Sequence, residues 1–233
     1  GGITAAGTTD GGVALVDMNT GAILAQRQIG GTVVDLVLDG EWVYALTDAN
    51  LHALRIEGGL LSPVMVLPLG RGWHQRIVKG QRSLVSVHRS GFIAIDLTDP
   101  GVPQVLAYTD TNQLGWRHIA LDGSGNAVAV AGLNSGADAT DDLRLYRVED
   151  FAQPGTFVRD FEGDDFPDFQ PCVLSAVLVY NGLSYVSDRR GRLFCVRYRL
   201  RDLGDQAPVV EIDTGLASSE IEEGRVFTLR AST

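Results

Sequence analysis

A repeat of about 40 residues runs through most of the chain, and it constrains the fold more than any single motif. Val33-Val34-Asp35-Leu36-Val37-Leu38-Asp39-Gly40-Glu41-Trp42-Val43-Tyr44-Ala45-Leu46 is its clearest copy. Trp73 to Val87 repeats it around Gly80, Trp116 to Ala131 around Gly123, and Leu174 to Ser187 around Gly182. The turn glycines are 40, 43 and 59 residues apart, the last interval lengthened by an insertion before Cys172. Each copy reads as short apolar strands separated by Gly-bearing turns. Apolar residues recur at period 2 or in runs of four to eight, and no window of twelve shows a 3.6-residue period. Repeats of this length, made of short strands with turns between them, predict an all-β fold, a β-propeller of about five blades of four-stranded antiparallel sheets, six if missing sequence closes it.

The blades read as follows. The first has strands Ile3–Thr9, Gly12–Met18 and Ala22–Ile29 and lacks an inner strand. The second spans 32–69, the third 73–109, the fourth 116–162 and the fifth 172–213, so the propeller occupies 1–213. In this scheme Cys172 starts an innermost strand and Cys195 lies two strands outward, roughly 9–10 Å away and beyond disulfide reach. Both are expected to be free thiols. Residues 214–233 have two readings. Val226–Ala231 supplies the missing inner strand of the first blade, which would remove an exposed edge; or Val209–Gly215 and Glu222–Thr233 resemble the opening strands of a bacterial immunoglobulin-like domain.

Composition narrows the setting. A formal charge of -10 argues against nucleic acid as a partner, because gripping a phosphate backbone needs clustered Lys and Arg. No apolar run approaches the ~20 residues of a membrane-spanning helix, so no membrane insertion is expected. The chain begins Gly1-Gly2-Ile3 without a targeting segment and reads as excised from something longer. Only Lys79 of the 19 basic residues is lysine, a bias that follows a GC-rich genome more often than a function.

The third blade carries Gly91-Phe92-Ile93-Ala94-Ile95-Asp96-Leu97-Thr98-Asp99-Pro100-Gly101-Val102-Pro103 after Ser83-Leu84-Val85-Ser86-Val87. This strand, strand and Asp-x-x-x-Pro-x-x-Pro turn resembles the LVIVD-repeat family of bacterial β-propellers. Gly12–Gly21 is a degenerate version, equally similar to quinoprotein-type propeller repeats. The fourth and fifth blades depart from the pattern, with Val148-Glu149-Asp150-Phe151 where the turn would sit. The resemblance implies a cell-surface or secreted scaffold without a shared catalytic motif, joined to adjacent domains of the same polypeptide and open to a protein or glycan partner.

Propeller ligands sit where inner strands begin. Asp35, Gln75, His118 and Val177 each stand five residues before a turn glycine, and three of the four are polar in apolar strands. Next to them come two matching starts, Gly72-Trp73-His74 and Gly115-Trp116-Arg117. Together Asp35, Trp73, His74, Gln75, Trp116, Arg117 and His118 form the candidate channel-mouth site, suited to a small anionic or sugar-like ligand. The competing reading makes Asp35, Gln75 and His118 hydrogen-bond bridges between blades and the tryptophans packing between them. A second candidate is the insertion 162–171, whose Asp164, Asp165, Phe166, Asp168 and Phe169 would cover the mouth, present a partner surface, or only decorate a loop.

No metal site and no cofactor is expected: there is no close His pair and no Cys-x-x-Cys. Asp122–Asn126 resembles a calcium loop but lacks the bidentate Glu at its twelfth position and reads as a hairpin turn. Residues 137–142 read as a solvated loop. Arg189, Arg190 and Arg192 fill a turn, and Arg197, Arg199 and Arg201 line one strand face, a set expected to ion-pair at the surface or to meet an acidic partner. The chain has no Gly-x-Ser-x-Gly, His-Glu-x-x-His, phosphate-loop or dinucleotide motif. An enzymatic alternative remains, a glycosidase- or lyase-like site using Asp35, the 162–168 carboxylates and His118.

Overall fold

A computed structural model describes residues 2–80, 82–111, 113–121, 126–136, 143–148, 157–162, 174–180 and 183–197. Every regular element among them is a strand. Strands β1 (Ile3–Gly7), β2 (Gly12–Asp17) and β3 (Ile23–Gln28) form a first antiparallel sheet. The second holds β4 (Val33–Asp39), β5 (Trp42–Thr47), β6 (Asn50–Glu57) and β7 (Leu60–Pro68). The third holds β8 (Arg76–Lys79), β9 (Ser83–His88), β10 (Gly91–Asp96) and β11 (Gln104–Asp110). The fourth holds β12 (Gln113–Leu121), β13 (Asn126–Gly136), β14 (Leu143–Val148) and β15 (Phe157–Glu162). The fifth comprises β16 (Leu174–Tyr180), β17 (Leu183–Asp188) and β18 (Leu193–Arg197).

In every sheet, strands neighbour one another in chain order, and the first strands stand side by side: β1 by β4, β4 by β8, β8 by β12, β12 by β16. Up-and-down sheets stacked through their first strands are the blades of a β-propeller. Among the described residues the first and fifth sheets have three strands, not four, and β1 itself lies against β4.

The strand sequences follow from this stacking. Successive side chains leave a strand on opposite faces, so a blade with neighbours on both sides needs apolar residues at every position. In β9, Leu84 packs toward the second blade with Tyr44, Leu46 and Leu51, while Val85 and Val87 pack toward the fourth with Trp116, Ile119 and Tyr146. In β10, Ile93 and Ile95 join the former core and Phe92 and Ala94 the latter. Two further cores repeat the scheme, Val13, Leu15 and Ala25 against Val43 and Leu54, and Val130 and Leu143 against Leu174, Val177 and Val186. The fifth sheet alternates instead, burying Leu174 and Val177 and exposing Leu178 and Tyr180.

The turn aspartates do local work. Asp96 Oδ1 accepts from Thr98 N at 2.9 Å and Thr98 Oγ1 at 2.8 Å, and Asp99 Oδ1 from Gly101 N at 3.0 Å. Asp17 Oδ1 takes Asn19 N at 2.8 Å and Thr20 N at 3.0 Å in the same way. These are side-chain turns that satisfy backbone donors without a partner strand. The Tyr44 hydroxyl donates to Pro100 O at 3.0 Å, tying the third blade's turn to the second blade. In the arginine turn, Asp188 Oδ2 holds Arg192 through Nε and Nη2, both at 2.7 Å.

Cys195 is an exposed free thiol. Cys172, the insertion with Asp164, Asp165, Phe166, Asp168 and Phe169, the 122–125 and 137–142 loops, and residues 198–233 with both readings of 214–233 lie outside the described residues.

Candidate functional site

Where β8 and β12 begin, a cleft of about 290 Å³ is lined by Trp73, Gln75, Arg89, Gly115, Trp116 and Arg117. Four of the seven channel-mouth residues therefore share one site. The other three lie elsewhere, for identifiable reasons.

Asp35 is a bridge between blades. Its Oδ2 accepts from Ile77 N at 2.9 Å and stands 3.2 Å from Arg76 Nε, while Arg76 Nη1 donates to Oδ1 at 3.4 Å. The carboxylate thus caps a backbone donor of β8 from the neighbouring strand, the structural role that competes with ligand binding. Its acid is committed before any substrate arrives, and among the described residues the cleft lining contains no carboxylate.

His74 is buried below the cleft. Its Nε2 donates to Arg71 O at 2.6 Å, which leaves Nδ1 to accept from the Ser86 hydroxyl at 2.7 Å. Both nitrogens are spent, and burial holds the ring's pKa below its ordinary value. It meets His88 edge to face at 6.0 Å between ring centroids. Burial, then the charge of His74, pushes His88 down to about 4. His118 is half-buried, with Nδ1 lacking a hydrogen-bond partner among the described residues. Burial, then the charge of Arg76, pushes it down to about 4.

The two Gly–Trp starts diverge. Trp73 is 68% exposed and has φ of 67°, a left-handed conformation that a bulky residue adopts only at a cost. The guanidinium of Arg89 sits 5.7 Å from its ring centroid. Trp116 is 1% exposed; its Nε1 donates to Thr111 Oγ1 at 2.7 Å, and its ring packs on Phe92 and Tyr146. The pairing of β12 with β13 slips twice, between Leu114 and Trp116 and between Trp116 and His118. Gly115, at φ 94°, supplies the backbone turn that the first slip needs. The second leaves Arg117 as the extra, unpaired residue, and a bulge of this kind re-aims a side chain. Trp116 drops into the core while Arg117 borders the cleft.

Burial, then the charge of Arg189, pulls the Arg117 guanidinium below its usual pKa. Among the described residues neither Arg117 nor Arg89 has a carboxylate within ion-pair distance. Gln75, in the place that Asp35 holds one blade earlier, turns its amide back to Trp73 O at 3.4 Å. The site is therefore cationic, aromatic on one wall and, among the described residues, without an internal counter-ion. Reading residues from turn glycines missed Arg89. Extending the β8–β9 pairing back from Arg76↔Val87 would have brought it opposite the Trp73–His74 segment.

Among the described residues no three His, Cys, Asp or Glu side chains converge as metal ligands, and no helix is long and apolar enough to cross a membrane.

Compared with family models and with curated proteins, the chain matches none. It is similar in fold to solved structures. The computationally designed protein Ika8 superposes with a TM-score of 0.63 at 13% identity over 84% of this chain. BamB from Moraxella catarrhalis gives 0.56 at 15% over 85%. The designed protein Ika4 gives 0.56 at 12% over 76%, and 99% of its own length is covered. The chain spans only 55% of the length of Ika8 and 59% of BamB. These likenesses establish the propeller fold, and at such identities the fold alone.

Proposed function

We propose that the chain is a non-catalytic propeller module that recognises a partner through the cleft between its third and fourth blades. One observation carries this reading: Trp73, a large apolar ring, is held exposed in a costly backbone conformation at the rim of a cleft. A surface Trp that only filled space would relax into an ordinary conformation, whereas strain kept at a concave site is characteristic of binding. Among the described residues the cleft lining holds no carboxylate, and Asp35 is engaged by Ile77 and Arg76, which supports recognition over acid–base chemistry there.

In this reading the module belongs to a larger bacterial surface or secreted protein and presents the cleft to a protein or glycan. Support for that setting is the resemblance of the Asp96–Pro103 turn to LVIVD repeats. The test is a pair of glycan and peptide arrays probed with the 233-residue chain and with Trp73→Ala. Signals lost in the variant, with its circular dichroism unchanged, are expected. Arrays that read the same for both proteins would overturn the proposal.

A further inference from the structure

We infer that the ligand of this cleft is a carboxylated sugar, a uronic acid residue of an acidic glycan. The inference rests on the recognition reading above and names its ligand class.

The charge comes first. Arg89 and Arg117 line the cleft without an acid among the described residues, and Arg189 adds a like charge beside Arg117. The position that carries a carboxylate one blade earlier is here the neutral Gln75. A guanidinium fork pairs a planar carboxylate through two parallel N–H donors. An anion entering the cleft therefore meets two guanidiniums that no acid among the described residues already holds.

Shape and chemistry then distinguish a sugar from an acidic peptide. The cleft volume of about 290 Å³ sits at the lower edge of small-molecule sites, room for about one ring. Its exposed wall includes Trp73, an aromatic ring of the kind on which the C–H face of a pyranose stacks, and the Gln75 amide offers both a donor and an acceptor to ring hydroxyls. A bound peptide takes much of its affinity from main-chain hydrogen bonds. Two main-chain donors of the lining are already used: Gln75 N donates to Val87 O and Gly115 N to Arg89 O, both at 2.8 Å. The lining side chains, two guanidiniums, an amide and an indole, suit a ring bearing one acid.

The test is calorimetric titration of the 233-residue chain with trigalacturonate, with the neutral galactose trimer of the same linkage, and with a Glu-rich pentapeptide. Trigalacturonate is expected to bind, at least roughly 10-fold tighter than the neutral trimer, and to weaken as salt is raised. Arg117→Gln and Gln75→Glu, the second supplying an internal carboxylate, should each weaken it by about 10-fold or more with the circular dichroism spectrum unchanged. Equal binding of the neutral trimer, tighter binding of the peptide, or no loss in Arg117→Gln overturns the acidic-sugar assignment. If that happens while Trp73→Ala still abolishes binding of another array ligand, the recognition reading survives. If no Trp73-dependent ligand exists, both fail.

Discussion

The third and fourth blades begin with the same dipeptide and use it in opposite ways. After Gly72 the indole is exposed and the next residue, His74, is buried; after Gly115 the indole is buried and the next residue, Arg117, borders the cleft. Trp116 belongs to the core between the blades, whereas Trp73 faces solvent against Arg89. One motif thus fills the core in one copy and stands exposed at the cleft in the other, and a backbone slip beside Gly115 separates them. A residue type at a repeat position is therefore not evidence of its role until the local pairing is known.

The contrast can be broken experimentally, and the largest effect belongs to the buried ring. Trp116→Ala is expected to cost about 3–5 kcal/mol of unfolding free energy, read from urea denaturation, because it empties the packing of Phe92 and Tyr146. A cost below about 1 kcal/mol would mean that the two starts do not differ as described. Next comes the bridge at Asp35. Its replacement by Ala strips Ile77 N of its acceptor and Arg76 of its partner, at about 1–3 kcal/mol by the same measurement.

Acid should act on two imidazoles, the buried His88 and the half-buried His118. His88 and His118 sit at about 4 in the folded chain against about 6.5 when unfolded, so the unfolded state binds more protons between those values. Stability present above pH 6.5 is lost as pH falls toward 4. The charged groups acting on His88 are His74, Arg71 and Asp110; of these only Asp110 favours its protonation, as does a hydrogen bond to the Phe92 backbone. Urea midpoints measured across this range should fall with pH, and His88→Gln should flatten part of the slope. A flat parent profile would contradict the burial described for these rings. The smallest effect is the most diagnostic. Trp73→Gly relieves a left-handed conformation while giving up one cation–π contact, so its stability should fall within about 1 kcal/mol of the parent, on the stabilising side, while cleft binding is lost.

Blade boundaries were legible in the residues because stacking demands it. Gly40 and Gly80 mark the turns after β4 and β8, and the runs Val43–Leu46 and Phe92–Ile95 are apolar at every position because both faces are covered. Asp96 and Asp99 marked their turn for a local reason, since side-chain caps act within a few residues. The site was half legible. Counting back from turn glycines placed Trp73, Gln75, Trp116 and Arg117 near one another, and it equated His74 with Arg117 and Asp35 with Gln75. That count assumes a uniform register. The slips in the β12–β13 register break it, and they depend on a pairing between residues distant in sequence, which skips Gly115 and Arg117. Arg89 escaped because it belongs to a hairpin turn and reaches the cleft only through the β8–β9 register.

Strand β9 is buried at all six of its positions, flanked by β8 and β10 and covered by the blades on either side. Its amide protons have no local route to solvent and should exchange only when the domain opens as a whole, which makes this strand the slowest-exchanging segment in deuterium. Gln75 is hydrogen-bonded to Val87 near the end of that strand, and Arg89 follows it directly. Two walls of the cleft are therefore anchored to a strand buried throughout, so a ligand of the proposed kind would meet them already in place, without the cost of ordering them.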